Sequence, residues 1–577
     1  MTFLFLARPF SNHKIFHIAL CLTLSASAGY ASTDTLIDAM KAELERSNSV
    51  LTSATPAMYY LSYGVTENTT VTIKASYGNL IVDNHDQRRV LDVDLRVGSH
   101  QLDNTHSIRG VAFELGRGAR GVELPVGNNR IALQQVIWRA TDQAYRSAAE
   151  RYEKVVTNLK VKVKEEDTSA DMSQEVALQH LEEQPPFTFD DVRWRNTVKM
   201  VSAVFAGQPK LYDGSASVWT KFIVKRFVTS EGTIVRTYEP IIQVMVTCMT
   251  KADDGMSLPL YRSYAAFSEE RLPSVDSLIK DAKEIRDLAQ KLRNAPLAET
   301  YTGPAILTGR ASGVFFHEIF GHRVEGHRQK DVNSSQTFKS FLNKKVLPDF
   351  MSVVFDPHRR SLNGQDLVGA YQVDDEGVAA QKVVAVQDGT FKNFLMGRSP
   401  IENFEHSNGH GRRQAGYRCV ARQSNLLVTA SKTVSVDELR KMLLDECKKQ
   451  GKEYGLLFDD IEGGFTFTGR TIPNAFNVLP LVVYKVYVDG RPDELVRGVD
   501  LIGTPLTTFN NITAAANDLE IFNGVCGAES GGVPVSASSP SLLVSTIEVQ
   551  KKQKSQAKPP MLQDPSAGQG NTKGVRP

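Results

Sequence analysis

The chain has 577 residues, of which 41% are hydrophobic and 23% are charged, and its formal net charge at pH 7 is +2. A chain of this length is too long for a single hydrophobic core, so two or three domains are expected. The nearly balanced charge gives no reason to expect a nucleic-acid partner or an anionic membrane surface as a partner.

The first 31 residues have the pattern of an export signal. Arg8, His13 and Lys14 form a basic start, residues 15–25 are apolar, and two runs of small residues before position 32 offer cleavage sites. The apolar run is shorter than the roughly 20 residues that a membrane-spanning helix needs. We predict a cleaved signal peptide over residues 1–31, a periplasmic or secreted protein and no integral membrane span in the mature chain. The alternative is an uncleaved anchor.

Residues 32–165 are predicted to form an N-terminal α+β domain. Apolar side chains at helical spacing indicate a first helix near residues 36–44 and a long helix over about 130–160. Between the two helices, runs rich in β-branched and aromatic residues predict strands at 58–65, 69–76 and 89–97, with a turn signal at Asp83–Asn84.

Residues 166–296 are predicted to form a middle, linking domain. It begins in an exposed connection that ends near residue 186 and closes with a helix over 275–292. The strands predicted between them lie at 218–228, 233–238 and 241–249. We find no chemistry-bearing motif in this range.

Residues 297–550 are predicted to form the C-terminal, catalytic domain. A short strand at 304–307 and a glycine-rich turn at 309–313 precede the most unusual stretch of the chain. Further strands are predicted at 378–386, 424–430, 478–488 and 540–549. Residues 551–577 lose apolar periodicity and are predicted to be a disordered basic tail. The predicted class is therefore multi-domain α+β, with helices packed on mixed or antiparallel sheets.

The unusual stretch is His317-Glu318-x-x-x-His322, which places two imidazoles and a carboxylate in an apolar run. Neutral imidazole nitrogen binds Zn²⁺ well, and a glutamate beside the first ligand can take a proton from metal-bound water. Five residues rotate about 140° around an ideal helix, too far for both histidines to reach one metal. A metal site therefore requires a π-bulge or a helix break between Glu318 and His322. The pattern alone is as typical of two core histidines bonded to backbone.

Several ordered motifs accompany the histidines. They are Gly321-His322-Arg323-Val324-Glu325-Gly326, Asp374-Asp375-Glu376-Gly377, Arg422-Gln423-Ser424-Asn425, and Cys526-Gly527 leading into Gly532-Val533-Pro534-Val535. Together they resemble the TldD/PmbA family of metallopeptidases, and specifically its catalytic, TldD-like subunit. The likeness covers residues 300–550 well and residues 32–165 more loosely. Export would be unusual for a family better known from the cytoplasm.

A catalytic zinc ion takes three protein ligands and leaves one position open. His317 and His322 supply two, and His327, Glu325 and Cys526 are candidates for the third. The resemblance implies Cys526 as the third ligand of one Zn²⁺ per chain, and Glu325 as a group that steadies a histidine. His327 is then the first alternative ligand.

The resemblance implies a zinc metallopeptidase that hydrolyses peptide bonds in extended or unfolded polypeptides, with Glu318 as the general base. The alternative is a catalytically silent subunit that binds peptides or holds a TldD/PmbA-type complex together. Because the silent type lacks the histidine motif, the intact trio favours the enzyme. The resemblance also implies a homodimer, or a heterodimer with a related subunit.

The group that would stabilise an oxyanion is not identifiable from the sequence. Arg412, Arg413 and His410 lie in a loop that fits this role, and the alternative is that they are surface charges.

Overall fold

The computed structural model describes residues 34–108, 121–160, 167–331, 334, 336–466, 468, 476–503 and 505–552. The predicted signal peptide and the tail beyond residue 552 lie outside the described residues. The predicted α+β class is confirmed, because helices pack on two large sheets. Among the described residues, no helix combines the length and apolar character needed to cross a membrane.

Eight α-helices occur in the described residues. They are α1 (Thr35–Leu51), α2 (Arg130–Lys160), α3 (Asp191–Ala203), α4 (Val275–Asn294), α5 (Gly309–Ile319), α6 (His327–Lys330), α7 (Val436–Lys449) and α8 (Pro505–Asn510). The predicted first helix is confirmed. It is capped by the Asp34 carboxylate, which accepts hydrogen bonds from the backbone N–H groups of Leu36 and Ile37.

The first sheet has seven strands in the described part of the chain. They are β1 (Met58–Ser76), β2 (Asn79–Val97), β3 (Val122–Glu123), β4 (Gln179–Leu181), β5 (Leu211–Thr229), β6 (Ile234–Lys251) and β7 (Ser257–Ala266). Its order is β3-β2-β1-β5-β6-β4, and β7 also pairs with β6. The two predicted strands over 58–76 are one long strand, and the two over 233–249 are also one.

The turn predicted at Asp83–Asn84 is wrong. The β1–β2 hairpin turns instead at Tyr77 and Gly78, whose φ angles are 49° and 87°. Glycine adopts positive φ without steric cost, so Gly78 supplies what the turn needs. Asn84 lies inside β2, directly opposite Thr72.

The first sheet crosses the predicted domain boundary at residue 165. β1 belongs to the predicted N-terminal range and β5 to the predicted middle range, yet they pair along most of their length, from Ser62↔Thr229 to Ser76↔Ser215. The two predicted ranges therefore share one sheet. One core, around Leu61 and Leu133, packs under α1 and α2, and another packs under α3 and α4. The division into separate domains stays a prediction.

The second, mixed sheet has eleven strands in the described residues. They are β8 (Tyr301–Leu307), β9 (Met351–Phe355), β12 (Val383–Gln387), β13 (Thr390–Phe391), β16 (Asn425–Ala430), β17 (Tyr454–Thr466), β18 (Phe476–Tyr487), β19 (Glu494–Val496), β20 (Val499–Gly503), β21 (Ile512–Ala528) and β22 (Gly531–Lys551). Two small hairpins, β10 (Ser361–Leu362) with β11 (Gln365–Asp366) and β14 (Gly411–Arg412) with β15 (Val420–Ala421), lie outside it. β8 pairs with both β17 and β22, so β22, β20, β18, β17 and β8 close into a ring.

Helix α5 packs closely against this ring, and the absence of side chains at two of its glycines allows this contact. A Cβ added to Gly309 would lie 2.6 Å from the Ser539 carbonyl oxygen, and one on Gly313 would lie 3.2 Å from that of Ala537. The predicted turn over 309–313 is therefore wrong: these residues are the start of α5. Their glycines allow close contact between helix and strand rather than a change of chain direction.

Candidate metal centre

Helix α5 stops between the two histidines of the motif. It ends at Ile319, Phe320 has φ −103° and ψ −55°, and Gly321–Arg323 form a 3₁₀ turn. The predicted break between Glu318 and His322 is confirmed. As a result the two imidazole rings come together, with centroids 5.0 Å apart and planes at 79°.

Aromatic packing holds the broken segment in place. Phe315, Phe316 and Phe320 are fully buried and surround the ring of Phe509, with centroid distances of 5.3 to 6.2 Å. Phe320 also meets Phe338 edge-on at 5.3 Å. Because aromatic side chains contribute large buried areas, this cluster anchors both sides of the break.

Cys526 reaches the histidines from β21, where it pairs with Val533 of β22. Its Sγ lies 3.2 Å from His317 Nε2 and 3.3 Å from His322 Nε2. The three donor atoms lie within 4.8 Å of one another, and no other group of three His, Cys, Asp or Glu residues converges in this way among the described residues. All three side chains are buried.

The local charges favour a thiolate at this position. Burial raises the pKa of the Cys526 thiol, but the combined effect of His322 and His317 is larger and opposite. The pKa of this thiol therefore lies well below its ordinary value. Burial lowers the pKa of His322, but Cys526 and Glu325 raise it well above its ordinary range. Thiolate is the form of cysteine that binds a metal. One deprotonated sulfur with two imidazole nitrogens is a donor set that suits zinc, so the residues present fit that ion.

Glu325 stands behind His322 and is completely buried. Its Oε2 lies 3.3 Å from His322 Nδ1, within hydrogen-bonding distance. Burial raises the pKa of Glu325, but His322 and Arg328 lower it further, to about 2. A carboxylate can only accept, so Nδ1–H donates and Nε2 is left facing Cys526. Glu325 thus contacts a proposed ligand from outside the trio.

We expect Glu325→Gln to weaken zinc binding by roughly 10- to 100-fold, the usual effect of losing the partner of a ligating histidine. Titration against a chelator of known affinity measures this. Glu529→Gln is the matched control, because Glu529 also bonds a histidine (His327, 2.6 Å) and Arg328 (3.0 Å), and that histidine is outside the trio. Equal affinity in Glu325→Gln and the wild type would exclude this role.

His327, the alternative third ligand, does not join the trio. Its Nε2 lies 2.6 Å from Glu529 Oε1, and Arg328 links Glu529 to Glu325 through contacts of 3.0 and 2.8 Å. His327 is therefore engaged in an ion-pair network beside the site.

Glu318, the predicted general base, follows His317 in the last turn of α5 and is 7% exposed. Burial lowers the pKa of Arg323 to about 10, against the opposing effect of Glu318. A buried carboxylate beside the first histidine is a reasonable place for a proton acceptor.

The three oxyanion candidates are held by other protein groups. Arg412 is buried and donates to two backbone carbonyls at 2.7 and 2.8 Å. Arg413 pairs with Asp92 at 2.9 Å. Burial lowers the pKa of His410 to about 3, and its Nε2 lies 3.1 Å from the Ser424 hydroxyl. The alternative that these residues are surface charges is wrong for Arg412 and His410, which are buried. The role of the three in stabilising an oxyanion stays a prediction.

Two residues that the sequence presented only as part of a motif contact the backbone of the site. Arg422 donates to the carbonyl of Cys526, and Gln423 donates to the carbonyl of His317. No pattern of spacing or periodicity around them indicated this role. The four cysteines in the described residues are free, so Cys526 is not consumed in a disulfide.

Comparison with known proteins gives matches over the half of the chain that holds this site. Residues 300–551 match the family described as PmbA/TldA metallopeptidase C-terminal domain. A protein named "Metalloprotease" from Archaeoglobus fulgidus is 30% identical over 47% of this chain and 58% of its own length. A "Metalloprotease TldD homolog" from Buchnera aphidicola is 24% identical over 56% of this chain and 64% of its own length. The chain thus spans about three fifths of these relatives.

Solved structures share the fold over more of the chain. TldE from Thermococcus kodakarensis has a TM-score of 0.57 at 12% identity and covers 89% of this chain and 100% of its own. A putative modulator of DNA gyrase from Bacteroides thetaiotaomicron has a TM-score of 0.59 at 12% identity and covers 90% of this chain and 99% of its own. At these identities the likeness shows the fold alone.

Proposed function

We propose that this chain is a zinc-dependent metallopeptidase of the TldD/PmbA family, because its residues 300–551 match the C-terminal domain of that family and relatives that match this half of the chain are named metalloproteases. The observation that carries the proposal is the convergence of His317, His322 and Cys526, and Glu318 follows His317 directly in the chain. These three side chains would hold one Zn²⁺ per chain.

A zinc ion bound here would supply Lewis acidity, which polarises a peptide carbonyl and lowers the pKa of a water molecule. Glu318 would accept a proton from the attacking water at its carboxylate and return it to the leaving amine. Glu325 would hold His322 in one tautomer by accepting its Nδ1–H at Oε2. Because a thiolate donates more charge than an imidazole, it makes the metal a weaker Lewis acid, and we expect modest turnover.

We propose extended or unfolded polypeptides as the substrate. Between residues 519 and 528, β21 pairs only with β22 among the described residues, so its other edge has no strand beside it. Cys526 lies on this strand. A peptide in extended conformation can add to such an edge through backbone hydrogen bonds, which depend little on its sequence.

A proteolysis assay distinguishes the peptidase from the alternative, a catalytically silent subunit. The wild type should cleave an unfolded protein such as reduced, carboxymethylated lactalbumin, lose this activity to a chelator and regain it with one equivalent of zinc. Binding of the same polypeptide without cleavage at full zinc occupancy would instead support the silent, scaffolding subunit. We propose that the protein assembles as a homodimer or as a heterodimer with a related subunit. The molar mass of the purified chain, measured by light scattering, would distinguish a homodimer from a chain that needs a different subunit.

Export is a separate proposal that rests on the first 31 residues. We expect protein isolated from its native host to be periplasmic or secreted and to begin near residue 32. Intact-mass measurement of each cell fraction tests this. Cytoplasmic protein that retains its first residues would refute it.

A further inference from the structure

The helix break between the two histidines leaves backbone carbonyls without helical partners. The last carbonyls of any helix lack an N–H four residues ahead, and each needs another donor. Arg323 Nη1 donates to the carbonyls of Glu318 and Ile319 at 2.9 and 3.1 Å. The carbonyl of His317 receives its bond from Gln423 Nε2 at 3.2 Å. Side chains therefore replace the missing helical turn.

The protein makes room for the Gln423 amide. Gln423 is fully buried, and a Cβ added to Gly321 would lie 2.0 Å from its Oε1. Gly321 lies in a 3₁₀ turn, a conformation open to other residues. Glycine is therefore needed at position 321 because any side chain there would collide with Gln423, and not because of the backbone conformation.

The preceding residue holds the other half of the site. Arg422 Nη2 donates to the carbonyl of Cys526 at 2.6 Å, and its Nη1 donates to the Ser530 hydroxyl and the Gly531 carbonyl at 2.7 and 3.0 Å. Arg422 is also fully buried. Two adjacent residues therefore bond to the backbones of His317 and Cys526, which are 209 positions apart in the chain.

We propose that Arg422 and Gln423 are positioning residues that hold Cys526 and His317 at the separation a metal ion requires. This inference rests on the proposed zinc site and adds the groups that set its affinity. Neither side chain contacts the substrate in this proposal. Both act through backbone carbonyls of residues that carry metal donors, so their loss should appear first in metal affinity.

Gln423→Met tests the proposal, because methionine keeps the length of the side chain and removes the donor. We expect zinc affinity, measured by chelator competition, to fall roughly 10- to 100-fold, as for other groups that support metal ligands. In the cobalt-substituted protein the d–d absorption bands should shift as well. A residue that served stability alone would leave both readouts unchanged in the folded protein.

Asn425→Leu is the matched control. Asn425 is a fully buried amide two residues further along, and its Nδ2 donates to the carbonyls of Asp356 and Arg359 at 3.0 and 2.8 Å. It makes the same kind of bond away from the site. We expect a lower melting temperature with unchanged zinc affinity.

If Gln423→Met folds poorly, a double-mutant cycle between positions 321 and 423 tests the same hydrogen bond. Gly321→Ala should displace the Gln423 amide and weaken zinc binding in the wild-type background. In Gln423→Ala the collision is absent, so adding Gly321→Ala should cost no further affinity. This strong coupling is expected only if both changes remove the same bond.

Wild-type zinc affinity in Gln423→Met, an equal loss in Asn425→Leu or additive effects in the cycle would overturn the inference while leaving the proposed function intact. Failure of the wild type to bind zinc at all would overturn both, so the two failures are distinguishable.

Discussion

We expect Cys526→Ser to purify without stoichiometric zinc and to have no measurable peptidase activity. The sulfur is the third donor of a trio in which it lies 3.2 and 3.3 Å from the two imidazole nitrogens. A serine hydroxyl stays protonated at neutral pH and is a poor replacement for a thiolate. The loss of affinity should exceed the roughly 10- to 100-fold effect of groups that only support ligands. Metal analysis and the peptidase assay measure the two effects.

Cys248→Ser is the matched control for this change. Cys248 is buried in the first sheet, and its Sγ donates to the Ile285 carbonyl at 3.5 Å. A serine hydroxyl can make the same bond, so both zinc content and activity should stay at wild-type levels. Cys526→Ser protein that binds zinc as tightly as the wild type would exclude Cys526 as a ligand, and His327 would become the first alternative.

Glu318→Gln should keep its zinc and lose its turnover. Glutamine preserves the shape of the side chain but cannot accept a proton, and loss of a general base typically costs roughly 10²- to 10⁴-fold in rate. The effect should fall on kcat, because the proton transfer occurs only in the transition state. Parallel metal analysis and steady-state kinetics separate the two properties.

Glu269→Gln is a suitable control for Glu318→Gln. Glu269 is as buried as Glu318, at 7% exposure, and lies in the 3₁₀ turn Glu269–Arg271 before α4, where it contacts Arg193 at 3.3 Å. Its loss should change stability but neither zinc content nor turnover. A Glu318→Gln protein with wild-type turnover would remove Glu318 from the mechanism.

The local features of the site could be predicted from the sequence better than the contacts between residues far apart in the chain. The five-residue spacing of His317 and His322 demanded a break, since helix geometry alone forbids convergence, and α5 ends at Ile319. The approach of Cys526 came from family resemblance, because no local pattern records a contact over 209 positions. The β1–β2 hairpin turns at Tyr77 and Gly78 rather than at Asp83–Asn84, because Gly78 adopts the positive φ that the turn needs.

The supporting contacts could not be predicted from the sequence. Gln423 reaches His317 only because the β15–β16 connection passes the end of α5, which is a tertiary arrangement. Glycine shows the same limit. Gly309 suggested a turn, but its role is to let α5 pack closely on β22. A Cβ added to Gly309 would lie only 2.6 Å from the Ser539 carbonyl oxygen. A residue's type does not reveal whether backbone freedom or lack of a side chain is needed.

Anomalous diffraction at the zinc edge tests the central claim most directly. From crystals of zinc-loaded protein we predict one strong peak per chain between His317, His322 and Cys526, at about 2.3 Å from the sulfur and about 2.0–2.1 Å from each Nε2. A peak beside His327 and Glu529, or none among the trio at full zinc loading, would contradict the proposed metal centre.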